Sequence, residues 1–185
     1  MCGIAGIFSN HAVDETTLRL MTETLSHRGP DSDGIWLGQG IGFGHRRLAI
    51  QDLSSAGAQP MISASGRYVV CFNGEIYNHL ELRAALNQDW KGKSDTETLL
   101  ALIEQNGISD AINKIVGMFA FALFDQTERK LFLARDRMGE KPLYYGRAGQ
   151  DVIFASELKA LLKHPKTERK LSSEAVCQFL RHSYV

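Results

Sequence analysis

Met1-Cys2-Gly3-Ile4-Ala5-Gly6-Ile7-Phe8 opens the chain, and its reading decides the fold. Ile4 to Phe8 reads as a short buried strand that begins almost at once. The start of the chain is therefore anchored, not frayed. Gly3 carries no Cβ and lets another segment or a ligand come close to the backbone. Cys2 then presents a thiol at the end of a sheet. Removal of Met1 would leave a free α-amine on the same residue as that thiol. An α-amine titrates at about 7.7–8.0 and a thiol at about 8.5, so near neutral pH the amine can take the thiol proton. Nucleophile and base then come from one residue. Such a thiolate can attack an amide carbonyl, and the protonated amine can help nitrogen leave as ammonia. The tetrahedral intermediate would need preorganised hydrogen-bond donors.

The rest of the composition bounds the alternatives. A chain of 185 residues suffices for one domain with a substantial core. Lys+Arg and Asp+Glu both number 21, so there is no general attraction to nucleic acid or an anionic membrane, and neither is expected as a partner. The three cysteines, Cys2, Cys71 and Cys177, are too few and too widely spaced for a disulfide framework or a zinc site. Cys71, within Tyr68-Val69-Val70-Cys71-Phe72, and Cys177, in a helix-like stretch, read as structural. The six histidines show no close metal-ligand pairing, and no metal is expected. The start lacks a secretory signal pattern and no apolar run approaches a membrane span. A reducing cytoplasm is the expected compartment.

Residues 14–26 put Leu18, Met21 and Leu25 on one helical face, with Asp14 as cap. His27-Arg28-Gly29-Pro30-Asp31 ends that helix. Strands are expected near 34–37, 41–49 and 67–73, then helices near 79–87, 95–105 and 108–115. Gly117 to Phe124 is continuously apolar, as in a strand buried on both faces. Further strands are expected over 130–135, 143–145 and 152–155, and helices over 157–163 and 172–182. Strands followed by helices, twice over, make an α+β layered domain.

These segments together resemble class II glutamine amidotransferase domains. The resemblance begins at Met1-Cys2-Gly3-Ile4-Ala5-Gly6 and continues through His27-Arg28-Gly29-Pro30-Asp31 and Gly44-His45-Arg46-Arg47-Leu48-Ala49-Ile50. It runs on through Phe72-Asn73-Gly74-Glu75-Ile76-Tyr77-Asn78, Asp95-Thr96-Glu97, Gly117 to Ala122, Arg135-Asp136-Arg137-Met138-Gly139, Lys141 to Tyr145 and Ala155-Ser156-Glu157. Any one of these is weak; their order and spacing are specific. They are most similar to the glutaminase half of glutamine-hydrolysing asparagine synthetases. The resemblance implies the N-terminal-nucleophile hydrolase fold, a four-layer αββα sandwich of two mainly antiparallel sheets, and covers residues 1–185 as one domain.

It also implies roles. Cys2 matches the nucleophile, and Asn73 (side-chain amide) and Gly74 (backbone N–H) match the oxyanion donors. Outside that resemblance, Asn-Gly would read as a hairpin turn. Arg47 matches the arginine that holds the glutamine α-carboxylate, for which a planar fork is suited. Leu48, Ala49, Ile50 and Gln51 would line the substrate pocket with it. Asp95 matches the acid that pairs with the α-ammonium, and could also cap the helix that follows. Glu75 matches a neighbouring substrate contact. Arg46 reads as a surface charge. Asp31, Arg135, Asp136 and Arg137 read as turn or packing residues, and Tyr77, Tyr144 and Tyr145 as core or interface aromatics.

The expected partners are L-glutamine, a synthetase domain in the same chain or another, and a homodimer. Asparagine synthetases carry a larger ATP-dependent domain after this one, and nothing up to Val185 resembles its nucleotide-binding loop. That domain is expected to be absent or truncated, the chain reading as a fragment in preference to a free-standing subunit that serves a separate synthetase, and ATP and magnesium are expected only there. Two alternatives stand beside a glutaminase: a non-catalytic interaction domain for a synthetase partner, and the glutaminase of a sugar or peptide amidotransferase.

Overall fold

The computed structural model describes residues 1–170 and 172–184. The chain opens with β1 (Gly3–Phe8), α1 (Glu15–Glu23), β2 (Ser32–Gly38) and β3 (Ile41–Arg47). A short β4 (Met61–Ile62) and a long β5 (Tyr68–Ile76) follow, then α2 (His79–Ala84), α3 (Asp95–Asn106) and α4 (Ile108–Lys114). The second half holds β6 (Gly117–Asp125), β7 (Lys130–Arg135), β8 (Tyr144–Ala148), β9 (Asp151–Ala155), α5 (Leu158–Leu161) and α6 (Ser173–His182). Asp14 caps α1 as expected, its carboxylate accepting from Thr17 N–H at 2.8 Å.

Two sheets result. One runs β2-β3-β1-β9-β8 and the other β4-β5-β6-β7, with every pairing antiparallel. Three apolar clusters separate four layers. Leu18, Met21 and Leu25 pack with Ala160 and Leu161 against Ala5, Ile7 and Ile153 on the outer face of the first sheet. Ile4, Phe43, Cys71, Ala122, Phe124 and Phe154 fill the space between the sheets. Leu99, Ile103 and Ala111 cover Phe72, Phe121 and Leu123 on the outer face of the second. This is the expected αββα sandwich. Phe43 and Phe154, on the two strands that flank β1 in the first sheet, meet edge to face at 5.6 Å within the middle layer, a geometry that adds about 1 kcal/mol beyond area burial. Among the described residues no helix is long and apolar enough to cross a membrane.

The period of two along each strand decides where the chemistry lies. On β1, Ile4 faces the other sheet while Ala5 faces the helices, so Cys2 shares the inward side with Ile4. On β3, Ile41 and Phe43 face inward, which carries His45 and Arg47 to the same side. On β5, Val69 and Cys71 face inward, and Asn73 follows them. The register sets Ile4 beside His45 and Gly3 beside Arg46, so all three strands run out at one end of the gap.

Asn73 and Gly74 lie inside β5, opposite Ala120 and Phe119 of β6, so the turn that Asn-Gly would make outside the family context does not form. A Cβ on Gly74 would run into the Met118 carbonyl, so glycine is required by the closeness of the strands. Several expectations are corrected. Cys177 is exposed on α6, unlike buried Cys71. Tyr77, Tyr144 and Tyr145 are exposed, not core, with Tyr145 at 74%. Arg46 is held rather than free, donating from Nε to the Gly29 carbonyl at 3.1 Å. The two-residue β4 escapes a sequence reading because it is shorter than any periodic signal.

His45 is fully buried, and its Nε2 lies 3.1 Å from the Phe72 carbonyl. A carbonyl only accepts, so Nε2 carries the proton and Nδ1, buried without a partner, stays bare. Burial holds the imidazole at about 4, against an ordinary 6.5. The unfolded chain therefore binds the extra proton between those values, and stability falls as pH drops through that window. The maximum loss is about 3 kcal/mol. His45→Gln keeps a donor but does not titrate. Chemical denaturation at pH 7 and pH 4.5 should show a shallower acid loss in His45→Gln than in the wild type; equal losses would contradict this.

Candidate active site

Where the gap between the sheets runs out, a cavity of about 140 Å³ opens. Its walls include Met1, Cys2, Arg47, Leu48, Ile50, Gln51, Asn73, Gly74, Glu75 and Asp95. Residues from positions 2 to 95 are thus brought together by β1, β3, β5 and the start of α3. Ala49 is the exception among the residues the sequence singled out: it lies off the cavity, and its N–H goes to Asp31 Oδ2 at 2.8 Å. Ile50 lines the rim and is 72% exposed.

Cys2 sits against the irregular segment that leaves β3 at Leu48. Leu48 N–H points at its Sγ at 3.4 Å, and Sγ lies 3.7 Å from the Leu48 carbonyl. Burial pushes the thiol up, and the Leu48 contact opposes this only in part. Arg28 fixes the backbone of the same residue, donating from Nε to the Cys2 carbonyl at 3.0 Å. Its Nη1 bonds Glu157 at 3.0 Å. Glu157, although partly desolvated, is drawn down to about 2 by hydrogen bonds from Arg28, Lys159 and His27. Met1 extends beyond Cys2 and lies against Lys141, with Nζ 3.3 Å from its sulfur.

Asn73 is 1% exposed, and its Nδ2 has no hydrogen-bond partner. A buried unpaired amide donor costs about 1–3 kcal/mol. Strand alternation aims it into the gap with Cys2. Across the cavity, Gln51 Oε1 is a buried acceptor that is equally unpartnered.

Two opposite charges complete the walls. Arg47 donates from Nη1 to the Ser54 carbonyl at 3.0 Å and from Nη2 to the Asp52 carbonyl. Both partners are neutral, and Arg47 makes no ion pair among the described residues. Gly57 allows the loop to lie on it, since a Cβ there would strike Nη2. Asp95 is buried, which pushes its carboxyl up, and Oδ2 accepts from Ile76 N–H at 2.9 Å. It is not the helix cap: Ser94 caps α3, accepting from Glu97 N–H at 3.2 Å. Asp95 is thereby freed to face the cavity from the first turn.

Sequence reasoning missed Asp52 and Gln59 on this wall. The Asp52 carboxylate takes Lys93 N–H at 2.7 Å and Ser54 N–H at 2.8 Å. These bonds hold it down to about 2 and tie the Arg47 loop to the segment before α3. Asp-x-Ser is an Asx-turn signal that could have flagged it. Asp31 and Asp136 do serve turns: Asp136 accepts from Phe119, Glu140 and Lys141 N–H groups.

The four-layer sandwich, with the chain start at the mouth of the inter-sheet gap, is the architecture the sequence resemblance implied. The chain belongs to the glutamine amidotransferase domain family, whose model matches residues 1–185. It is similar to asparagine synthetase [glutamine-hydrolyzing] 2 of Bacillus subtilis (strain 168), with 42% identity over 93% of this chain and 24% of that protein. Asparagine synthetase B [glutamine-hydrolyzing] of Escherichia coli (strain K12) is 39% identical over 88% of this chain and 30% of its own length. The chain thus spans a quarter to a third of the length of these relatives. Among solved structures, glutamine phosphoribosylpyrophosphate amidotransferase from B. subtilis, complexed with ADP and GMP, superposes with a TM-score of 0.75. That match covers 86% of this chain and 43% of the other at 23% identity, a likeness of fold alone.

The unpaired Asn73 amide is a stability cost. Asn73→Val, which removes the orphan donor and suits a strand, should leave the urea midpoint unchanged or raised. A loss above about 2 kcal/mol would show that Asn73 is held by a partner in the resting fold.

Proposed function

We propose that this domain hydrolyses L-glutamine to L-glutamate and ammonia through a γ-glutamyl thioester on Cys2, once Met1 has been removed. One observation carries the reading: a cysteine thiol and an unpartnered buried amide donor line one cavity with a cation and a carboxylate that have no ionic partner between them. A zwitterionic amino acid with a side-chain amide matches that set. Arg47 takes the α-carboxylate and Asp95 the α-ammonium, with Glu75 and Gln51 beside them, while Leu48 and Ile50 bound the chain. Ala49 acts only through the backbone that Asp31 holds.

The freed Cys2 amine accepts the thiol proton, which matters because burial makes the thiol reluctant to ionise by itself. Sγ attacks the amide carbon, the carbonyl electrons move onto oxygen, and Asn73 Nδ2 and Gly74 N–H stabilise that oxyanion. The ammonium returns its proton to the leaving nitrogen, the C–N bond breaks and ammonia departs. Water then attacks the thioester, gives its proton to the amine, and the C–S bond breaks to release glutamate and restore the thiol. While Met1 is attached, the amine is locked in a peptide bond and the base is lost.

The relatives' names support an ammonia acceptor handled by a synthetase domain, in the same chain or in trans, and ATP and magnesium belong to that domain's chemistry. Three cysteines without a disulfide suit a reducing cytoplasm.

Cys2→Ala should lose glutamine-dependent ammonia release by at least about 10³-fold, since the nucleophile itself is gone. Incubation of the Met1-free protein with diazo-oxo-norleucine should add one equivalent on the peptide that begins at Cys2. Wild-type rates in Cys2→Ala would contradict the mechanism, and an unlabelled Cys2 would favour a non-catalytic binding domain.

A further inference from the structure

Asn73 can serve a developing oxyanion only if its stretch of β5 is held still, and the sheet does not do this alone. β4 pairs with β5 only at Val69 and Val70. Beyond that point the β4 side of β5 has no strand. Phe72, the residue just before Asn73, has both backbone groups taken by side chains instead. Gln59 Oε1 accepts from Phe72 N–H at 2.6 Å, and His45 Nε2 donates to the Phe72 carbonyl.

The orientation of Gln59 is fixed by that bond. A backbone N–H only donates, so the amide oxygen must face Phe72 and the NH₂ must face away. The NH₂ is directed to Thr96 Oγ1 at 3.3 Å. Thr96 is buried and follows Asp95 on α3. The Gln59 backbone is pinned from a third direction. Its carbonyl packs so closely on Gly34 of β2 that a Cβ there would overlap it. One residue thus spans from the edge of the first sheet to the strand carrying Asn73 and the helix carrying Asp95. It also lines the cavity itself.

We propose that Gln59 is a positioning residue for glutamine hydrolysis, a clamp that sets the Asn73 donor and the Asp95 carboxylate in one geometry. The inference rests on the function proposed above. It assigns Gln59 no bond to the substrate and no proton transfer. Its effect comes through Phe72 and Thr96. A shift of about 1 Å in a positioned donor can cost about 10²-fold in rate.

The test uses the Met1-free protein and four variants. Gln59→Leu removes both bonds at similar size; Gln59→Glu keeps an acceptor for Phe72 N–H; Asn73→Ala removes the donor served; the fourth combines Gln59→Leu with Asn73→Ala. Gln59→Leu should lower kcat by 10- to 100-fold, and by more than it raises KM, with Gln59→Glu recovering most of kcat. In the Asn73→Ala background Gln59→Leu should cost less than about threefold further in kcat, because the oxyanion donor it positions is already gone and its remaining hold, on Asp95 through Thr96, acts on substrate binding and so on KM. Amide exchange gives a readout that needs no activity. Phe72 N–H should exchange at least tenfold faster in Gln59→Leu, while Leu123, on β6 away from the clamp, keeps its protection.

A kcat within twofold of wild type in a folded Gln59→Leu protein would overturn the proposal. So would a loss that multiplies in full with that of Asn73→Ala, which marks a general structural role. Unchanged Phe72 exchange would overturn the clamp itself. If Gln59→Leu does not fold, Gln59→Glu decides: a rate near wild type supports the acceptor role, and a large loss with normal Phe72 protection refutes it. A wild-type protein without glutaminase activity would instead overturn the function proposed above, and Phe72 exchange would still report on the clamp.

Discussion

The site depends on the packing of two sheets that stop filling the gap between them at one end. Along most of that gap, inward side chains are apolar: Ile4, Phe43, Cys71 and Phe154 close it. The same alternation, carried further along β1, β3 and β5, brings Cys2, Arg47 and Asn73 inward where the cavity opens. A one-residue slip in any of these strands would turn its cavity-lining side chain to the opposite face. Register is therefore as much a requirement of the proposed chemistry as residue identity. The apolar middle layer that enforces register is remote from the cavity but indispensable to it.

Charge follows the same logic. Arg47 is bonded only to neutral carbonyls, and Asp95 is buried beside a backbone donor. Each is held in position and left with charge to spare, which a folded domain tolerates poorly unless a ligand completes the set. Asn73 adds an unpaired donor and Gln51 an unpaired acceptor. These costs are concentrated in one cavity, as expected where stability is given up for function.

Much of this was legible in the sequence. The apolar run from Gly117 to Phe124 marked a strand buried on both faces, and β6 has helices over Phe121 and the other sheet over Phe124. Asp14 announced its helix, and Cys2, Arg47, Asn73 and Asp95 were singled out together. What escaped was long-range. Asn73-Gly74 has the composition of a turn, yet tertiary pairing with β6 keeps it extended. Asp95 reads as a substrate contact that could also cap its helix; only the capping falls away, because Ser94 one residue earlier has the side chain that reaches Glu97. Gln59 has no local signal at all: its partners are 13 and 37 residues away in sequence. Arg28 gains meaning only when β1 brings the Cys2 carbonyl beside it.

The central claim is that the first residue of the processed chain is both nucleophile and base. It is tested most directly by acid-quenching a reaction with isotopically labelled glutamine in the first turnover. Two samples are compared, one with Met1 removed and one carrying an uncleavable residue before Cys2. The account predicts a labelled γ-glutamyl thioester on the peptide beginning at Cys2 in the processed protein, and little or none in the blocked one. Equal labelling and turnover in both, or label on any other residue, would contradict it.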